Sequence, residues 1–306
     1  MTAAESSGPV TSGVVPEGVS GLDLPLGRRV ELPGRGVTFV REVAGPGDDA
    51  PVLLLLHGWF ASGGLNWYQA FGPLSEHFRI IAPDLRGHGR GLRTRRRFRL
   101  SDCADDVDAL MDQLGIDGAV ACGYSMGGPV AQLLWKRHPE RVRGLVFAAT
   151  SSMFVPGLQN RMVFAGAMAA VAGTTRAAQV TTRLPGPVRH MVPKGLRGAD
   201  RPTRMQTWAA QEMRRHDYRM VMEAGTAIAT YSSHRWIGGV DVPTTVLVTT
   251  KDRAIPPHEQ LRLALAIPHA KIHRYEEGHT SPVLASFGSA ITEACRSVLD
   301  HPSTED

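Results

Sequence analysis

A continuous apolar run, Val52–Leu56, constrains the fold of this chain more than any other feature of its sequence. A strand with one face in water alternates apolar and polar side chains, whereas an unbroken apolar run is typical of a strand buried on both faces of a parallel sheet. Residues 79–84 repeat the pattern, and residues 101–115 then change to the spacing of an amphipathic helix that ends near Gly115. This alternation predicts a doubly wound α/β fold with a mostly parallel sheet.

The alternation of strands and helices is interrupted once along the chain. Residues 151–239 hold eight of the eleven methionines, and their patterns are helical, without a convincing strand. We therefore predict one α/β core formed by residues 29–150 and 240–306, with residues 151–239 inserted as a helical cap. Residues 1–28 are rich in Gly, Ser and Pro and have no periodicity, so we predict a flexible N-terminal extension there.

The composition excludes several classes of protein. No stretch of the 306 residues approaches the ~18 uninterrupted apolar residues of a membrane span, and the N-terminus lacks the basic-then-apolar pattern of a secretory signal. The three cysteines, Cys103, Cys122 and Cys295, have no metal-ligand spacing and indicate free thiols in a reducing compartment. We expect a cytoplasmic protein with no metal site.

The net charge of +5 at pH 7 is scattered, except in one loop. No zinc-ligand spacing and no RNA-binding aromatic signature accompany it, so we predict no nucleic-acid partner. Two interpretations stay open for the loop: a solvated surface loop, favoured by the lack of an aromatic platform, or a site that recruits an anionic substrate such as an acyl-CoA phosphate or an acidic lipid head. Its arginines are Arg86, Arg90, Arg93, Arg95, Arg96, Arg97 and Arg99.

The sequence Gly123-Tyr124-Ser125-Met126-Gly127 carries the strongest chemical signal in the chain. It matches G-x-S-x-G and lies between an apolar strand and a helical pattern, which is the context that this motif requires. A sharp turn from strand to helix raises the serine hydroxyl above the sheet edge, and only small residues at the two glycine positions allow it. We predict Ser125 as a nucleophile.

A serine hydroxyl needs a base to accept its proton and an acid to orient that base. His279 follows the strand at 271–275, at the edge where parallel strands end, and is the predicted base. His57 ends an earlier strand at the same edge, but the adjacent glycine indicates a role in shaping the backbone. Asp252 follows the strand at 244–250 and is the predicted acid, in the chain order serine, acid, histidine.

The negative oxygen formed when an acyl carbon is attacked needs backbone donors already in position. One predicted donor is the N–H of Met126, next to the nucleophile. The second is predicted to come from the loop after the apolar strand, where Trp59 N–H is the candidate.

Together these motifs resemble the α/β-hydrolase-fold serine hydrolases, in particular bacterial carboxylesterases with a helical cap. The motifs are LLLLHGWF, APDLRGHG, GYSMGG, TTKDRAIPP and EEGHT, and the resemblance covers about residues 30–150 and 240–300. It implies an eight-stranded, mostly parallel sheet, a cap after the sixth strand, no cofactor, and an oxyanion hole formed by the N–H groups of Trp59 and Met126. Members of this fold that open epoxides or remove halogens use an aspartate nucleophile, so serine at position 125 implies acyl chemistry.

We therefore predict a serine esterase that acts on a small-molecule substrate with a medium-chain or bulky apolar acyl group, through an acyl-enzyme on Ser125. The alternatives are an acyl thioesterase and a hydrolase of C–C bonds in ring-fission diketones. A non-catalytic binding protein is less favoured, because it has no physical need for all three residues of the triad. The apolar side chains after the sixth strand form either an acyl pocket or the core of the cap itself. They are Met153, Phe154, Met162 and Phe164. The sequence predicts no oligomeric state.

Overall fold

The computed structural model describes residues 24–155, 157–181 and 204–300. Most of the predicted N-terminal extension and part of the predicted cap therefore lie outside the described residues. The first strand begins at Gly27, slightly before the predicted start of the core.

Within the described residues, eight strands form a single sheet. In chain order they are β1 (Gly27–Leu32), β2 (Gly36–Val43), β3 (Val52–Leu56), β4 (Arg79–Pro83), β5 (Ala119–Tyr124), β6 (Val142–Ala148), β7 (Thr244–Thr249) and β8 (Lys271–Tyr275). Their order across the sheet is β1-β2-β4-β3-β5-β6-β7-β8. Only the pairs β1–β2 and β2–β4 are antiparallel. The predicted mostly parallel, eight-stranded sheet is confirmed.

Nine helices are present in the described part of the chain. They are α1 (Gly63–Trp67), α2 (Phe71–Ser75), α3 (Leu100–Gln113), α4 (Gly127–Arg137), α5 (Leu158–Thr181), α6 (Arg204–Arg214), α7 (Tyr218–Thr230), α8 (Pro257–Ala266) and α9 (Ser286–Leu299). The length and apolar character that a bilayer crossing demands are not combined in any helix of this part.

Helices cover both faces of the sheet, which explains the unbroken apolar run of β3. Leu54 and Leu56 pack into a core that includes side chains of α3, α4, α7 and α8. Leu53 and Leu55 point to the opposite face and pack into a second core with α1, α2 and α9. All four leucines are fully buried. Each therefore stabilises the fold by about 1.5–3 kcal/mol relative to exposure to water.

The segment between β6 and β7 is helical, and we call α5, α6 and α7 the inserted helices. Its described residues contain a single isolated bridge, Met153 to Ser232, and no strand. α5 packs against α7, and α7 buries Met220 and Ala224 in the core beside the sheet. The indole Nε1–H of Trp59 donates to Val221 O of α7 at 2.7 Å, so the loop after β3 is tied to this helix.

Candidate active site

The turn from β5 into α4 holds Ser125 in a strained conformation. Its φ of 51° lies in the left-handed region, which costs a non-glycine residue about 1–2 kcal/mol. A Cβ at Gly127 would overlap the carbonyl oxygen of Leu56, and a Cβ at Gly123 would overlap the backbone of Gly127. The two glycines of the motif are therefore required by close backbone packing, and the serine is raised at the carboxyl edge of the sheet.

Ser125, His279 and Asp252 form a continuous hydrogen-bonded chain. The Nε2 atom of His279 lies 3.0 Å from Ser125 Oγ, and its Nδ1 atom lies 2.8 Å from Asp252 Oδ2. An ionised carboxylate can only accept, so Nδ1 of a neutral His279 carries the ring proton and Nε2 is free to accept the proton of the serine. The three residues follow β5, β7 and β8, whose parallel arrangement brings their carboxyl ends to one edge.

Asp252 is held ionised by the groups around it. Burial by itself would raise the pKa of Asp252, but hydrogen bonds from His279, Ile255 N–H and Thr249 Oγ1–H keep it below its ordinary value. Ala254 N–H also donates to Oδ1 at 2.8 Å. The carboxylate is thus oriented by backbone and side-chain donors, so the imidazole faces a fixed negative charge.

Tyr124 supports the histidine, a role that its place inside the G-x-S-x-G motif does not reveal. Its hydroxyl donates to the backbone carbonyl of His279 at 2.7 Å, and the two ring centroids are 5.6 Å apart. Burial raises the pKa of Tyr124, so the hydroxyl keeps its proton and remains a donor. Tyr124, the residue before Ser125, therefore fixes the loop that carries His279.

The two predicted oxyanion donors belong to residues next to Ser125, one in the chain and one in the fold. Met126 precedes the first residue of α4. A Cβ on Gly58 would lie 3.3 Å from Ser125 Cβ, which brings the peptide that Gly58 shares with Trp59 close to the nucleophile. Neither Trp59 N–H nor Met126 N–H donates a hydrogen bond within the described ranges.

His57, the rival candidate for the base, is fully buried and occupied by backbone groups. Leu85 N–H donates to its Nε2 at 2.9 Å, and its Nδ1 lies 2.8 Å from Gly58 O. Burial lowers the pKa of His57 to about 4. These contacts agree with a role in shaping the backbone.

The apolar side chains predicted for the pocket occupy different environments. Met162 is 67% exposed on α5, so the structure gives no support to a wall position for it. Phe154 packs partly buried against the core, and Phe164 is half-buried. Met153 forms the isolated bridge with Ser232. The pocket assignment of these side chains stays a prediction.

The arginine loop separates into internal and surface groups. Arg86 is buried and binds Asp106 through two hydrogen bonds of 2.6 and 2.7 Å, and it forms a second ion pair with Asp102. Arg90 pairs with Glu212 of α6 at 3.0 Å. These two arginines hold elements together. The exposed members are Arg93, Arg95, Arg96, Arg97 and Arg99, and recruitment of an anion by them stays a prediction.

A mostly parallel sheet with a strained serine turn after its fifth strand defines an α/β hydrolase fold. The chain belongs to the alpha/beta hydrolase fold family, whose model matches residues 51–284. Two solved structures share the fold. A hydrolase from Pseudomonas aeruginosa has a TM-score of 0.69 at 21% identity, covering 90% of this chain and 98% of its own. The enol-lactonase from Burkholderia xenovorans has a TM-score of 0.67 at 23% identity, covering 89% and 100%.

Three sequence relatives differ in how much of this chain they match. The magnesium-chelatase 30 kDa subunit of Rhodobacter capsulatus is 31% identical over 248 residues, covering 78% of this chain and 84% of the relative. The pimeloyl-[acyl-carrier protein] methyl ester esterase of Nitrosospira multiformis is 36% identical over 110 residues, covering 35% and 41%. The bifunctional esterase/perhydrolase DCH of Acinetobacter calcoaceticus is 40% identical over 93 residues, covering 30% and 33%. The esterase matches thus span less than half of each relative.

Proposed function

We propose that this protein is a serine hydrolase that cleaves carboxylic ester bonds through an acyl-enzyme formed on Ser125. The observation that carries the proposal is the hydrogen-bonded chain from Ser125 Oγ through His279 to Asp252. A left-handed serine whose Oγ lies 3.0 Å from a histidine Nε2 is the arrangement that activates a hydroxyl for attack on an acyl carbon.

In the proposed reaction, Ser125 Oγ attacks the ester carbonyl carbon while His279 Nε2 takes the hydroxyl proton. The negative oxygen of the tetrahedral intermediate accepts hydrogen bonds from Trp59 N–H and Met126 N–H. The C–O bond to the alcohol then breaks, and His279 gives its proton to the leaving oxygen. Water, deprotonated by the same imidazole, attacks the acyl carbon. The C–O bond to Ser125 Oγ then breaks, His279 returns its proton to that oxygen, and the acid leaves. Asp252 stabilises the imidazolium in both halves, and no step needs a cofactor.

The names of the two relatives with shorter matches support ester chemistry, since both are named as esterases. The longer match, to the Rhodobacter capsulatus subunit, has a name that specifies no acyl substrate. We therefore base the bond type on the geometry around Ser125 and treat the alcohol and acyl groups of the substrate as open. The inserted helices are proposed to act as a cap, with an apolar acyl group bound beside Met153, Phe154 and Phe164.

The test is hydrolysis of p-nitrophenyl esters, from acetate to dodecanoate, by wild type and Ser125→Ala. Wild type should turn over part of the series, and the alanine variant should lose several orders of magnitude in kcat. Ser289→Ala, which removes an exposed hydroxyl from α9, is the matched control and should keep full activity.

Chain-length preference separates the alternatives within the proposal. An optimum at hexanoyl or longer esters supports an apolar acyl pocket, and an optimum at acetate contradicts it. If wild type hydrolyses no ester of the series, the proposed esterase function is wrong. Acyl thioesters and vinylogous diketones would then be assayed with the same pair of proteins.

A further inference from the structure

Three buried imidazoles form a row behind the loop that carries Trp59. The ring centroids of His57 and His88 are 5.4 Å apart, and those of His88 and His216 are 5.6 Å apart. The rings come from three separate parts of the chain. His57 follows β3, His88 lies in the loop after β4, and His216 lies between α6 and α7. The row therefore joins the sheet edge to the inserted helices.

Backbone donors determine which nitrogen carries the proton in the two outer rings. Leu85 N–H donates to Nε2 of His57 at 2.9 Å, and Gly89 N–H donates to Nδ1 of His216 at 2.7 Å. A backbone N–H can only donate, so each of these nitrogens is unprotonated. The remaining ring nitrogen carries the hydrogen and acts as a donor.

The two remaining N–H groups donate to carbonyls on either side of Trp59. His57 Nδ1–H donates to Gly58 O at 2.8 Å, and His216 Nε2–H donates to Phe60 O at 3.2 Å. The carbonyl of Gly58 and the N–H of Trp59 belong to one planar peptide unit, so a bond to the former orients the latter. Burial lowers the pKa of both histidines, which keeps them in this neutral form.

Phe60 is the point at which this loop needs support. Its φ of 58° is left-handed, a conformation that a bulky residue keeps only when its surroundings enforce it. The hydrogen bond from His216 reaches the carbonyl of this residue, while the Trp59 indole is bound to Val221 O of α7. Both contacts come from the inserted segment.

We propose that His216 is a positioning residue for the oxyanion hole: by holding Phe60 O while His57 holds Gly58 O, it aims Trp59 N–H at the oxygen of the reacting acyl group. The role rests on the proposed hydrolase function. It makes the oxyanion hole depend on the inserted helices being docked on the core. Two charged groups, Asp84 and Arg93, lie near His216, with opposite effects on its charge.

Two substitutions separate the hydrogen bonds of His216 from its volume. His216→Phe keeps an aromatic ring of similar size and removes both bonds. His216→Gln keeps an acceptor for Gly89 N–H and a donor for Phe60 O, because amide oxygen and nitrogen have nearly the spacing of the two ring nitrogens. Loss of one oxyanion donor costs about 10²–10³ in kcat, so we expect about 10- to 100-fold for a misaligned donor in His216→Phe. KM should change less than threefold, roughly, because the substrate is not contacted.

His216→Gln should recover most of the lost kcat, and His234→Leu, an exposed histidine of the same segment, should be unaffected. A kcat of His216→Phe within twofold of wild type would overturn the proposal, and so would a rise in KM at constant kcat. If His216→Phe does not fold, His216→Ala is assayed with and without imidazole. A rise in kcat on adding imidazole supports the proposal, and no rise refutes it.

Amide hydrogen exchange of residues 57–61 tests the same proposal without any activity. Exchange at these residues should be faster in His216→Phe than in wild type, with His216→Gln in between, whereas α9 should exchange equally in all three proteins. Unchanged exchange at residues 57–61 would show that His216 does not hold the loop. Because this measurement needs no turnover, failure of the esterase function and failure of the His216 role can be told apart.

Discussion

Acidification should destabilise this protein through His57 before most carboxylates protonate. In the unfolded chain the ordinary pKa of about 6.5 applies, whereas burial lowers the pKa of His57 to about 4 in the folded protein. Between these values the unfolded chain binds a proton that the folded protein rejects. The contribution of His57 to the free energy of unfolding is therefore fully present above pH 6.5 and is lost as the pH falls towards 4.

The expected loss follows from the two pKa values. The difference between the two pKa values of His57 corresponds to a loss of about 3 kcal/mol in the free energy of unfolding over the full pH range. Between pH 7 and pH 5 the loss is about 2 kcal/mol, with a slope of at most about 1.4 kcal/mol per pH unit. The measurement is the free energy of unfolding in urea, followed by tryptophan fluorescence at several pH values. Wild type is compared with His57→Gln, which is less stable at pH 7 but lacks this titration.

The difference in stability between wild type and His57→Gln should therefore shrink by about 2 kcal/mol from pH 7 to pH 5. Burial also lowers the pKa of His88 well below its ordinary value, but that residue is present in both proteins and cancels in the comparison. His258→Gln, at a position where the side chain is 66% exposed, is the control for removal of an imidazole. A difference between wild type and His57→Gln that stays constant with pH would refute the reasoning.

Three further outcomes follow from the geometry. Gly127→Ala forces a Cβ into the backbone of β3, so it should abolish activity and lower stability by about 1–3 kcal/mol in thermal melts. The control is Gly166→Ala, which has open space around it and should be neutral or stabilising. Equal melting temperatures of the two variants would contradict the packing argument. Asp252→Asn should keep the melting temperature within a few degrees and lower kcat by about 10⁴, and a loss under tenfold would argue against its role. Arg86→Met removes a buried bidentate ion pair and should lower the free energy of unfolding in urea by about 3 kcal/mol. Arg28→Met, which removes an exposed ion pair, should lower it by less than about 1 kcal/mol. Similar losses in the two variants would mean that burial does not determine the contribution of an ion pair to stability.

Local sequence patterns predict the sheet and the hydrogen-bonded set of Ser125, His279 and Asp252, because both depend on short-range signals. An apolar run identifies a buried strand, and parallel strands end at one edge whatever the loops do. The predicted stop of α3 at Gly115 agrees with its φ of 63°. At its other end, α3 begins at Leu100, one residue before the segment with helical spacing, with Arg99 as N-cap and no side-chain cap bond.

Long-range polar pairs could not be predicted from the sequence. Arg86 reads as one member of a basic loop until the fold brings Asp106 beside it. His216 has no periodicity or motif that indicates its partner, because Phe60 lies 156 positions away and is contacted through its backbone. Met162 illustrates a related limit of the sequence: an apolar residue in a helix of low amphipathicity gives no indication of its face. Here the side chain is exposed, and its pocket role stays a prediction.

The left-handed backbone at Ser125 has a consequence for how this family member would evolve. Glycine usually makes a fold less stable than alanine by about 0.5–1 kcal/mol, because it has more freedom to lose. At φ 51° the order should reverse, since alanine keeps a strain of about 1–2 kcal/mol that glycine relieves. A lineage released from selection for hydrolysis would therefore gain stability by replacing this serine with glycine. As the proposed nucleophile, Ser125 persists only while hydrolysis is selected, and a glycine at this position would mark a descendant that has lost the reaction.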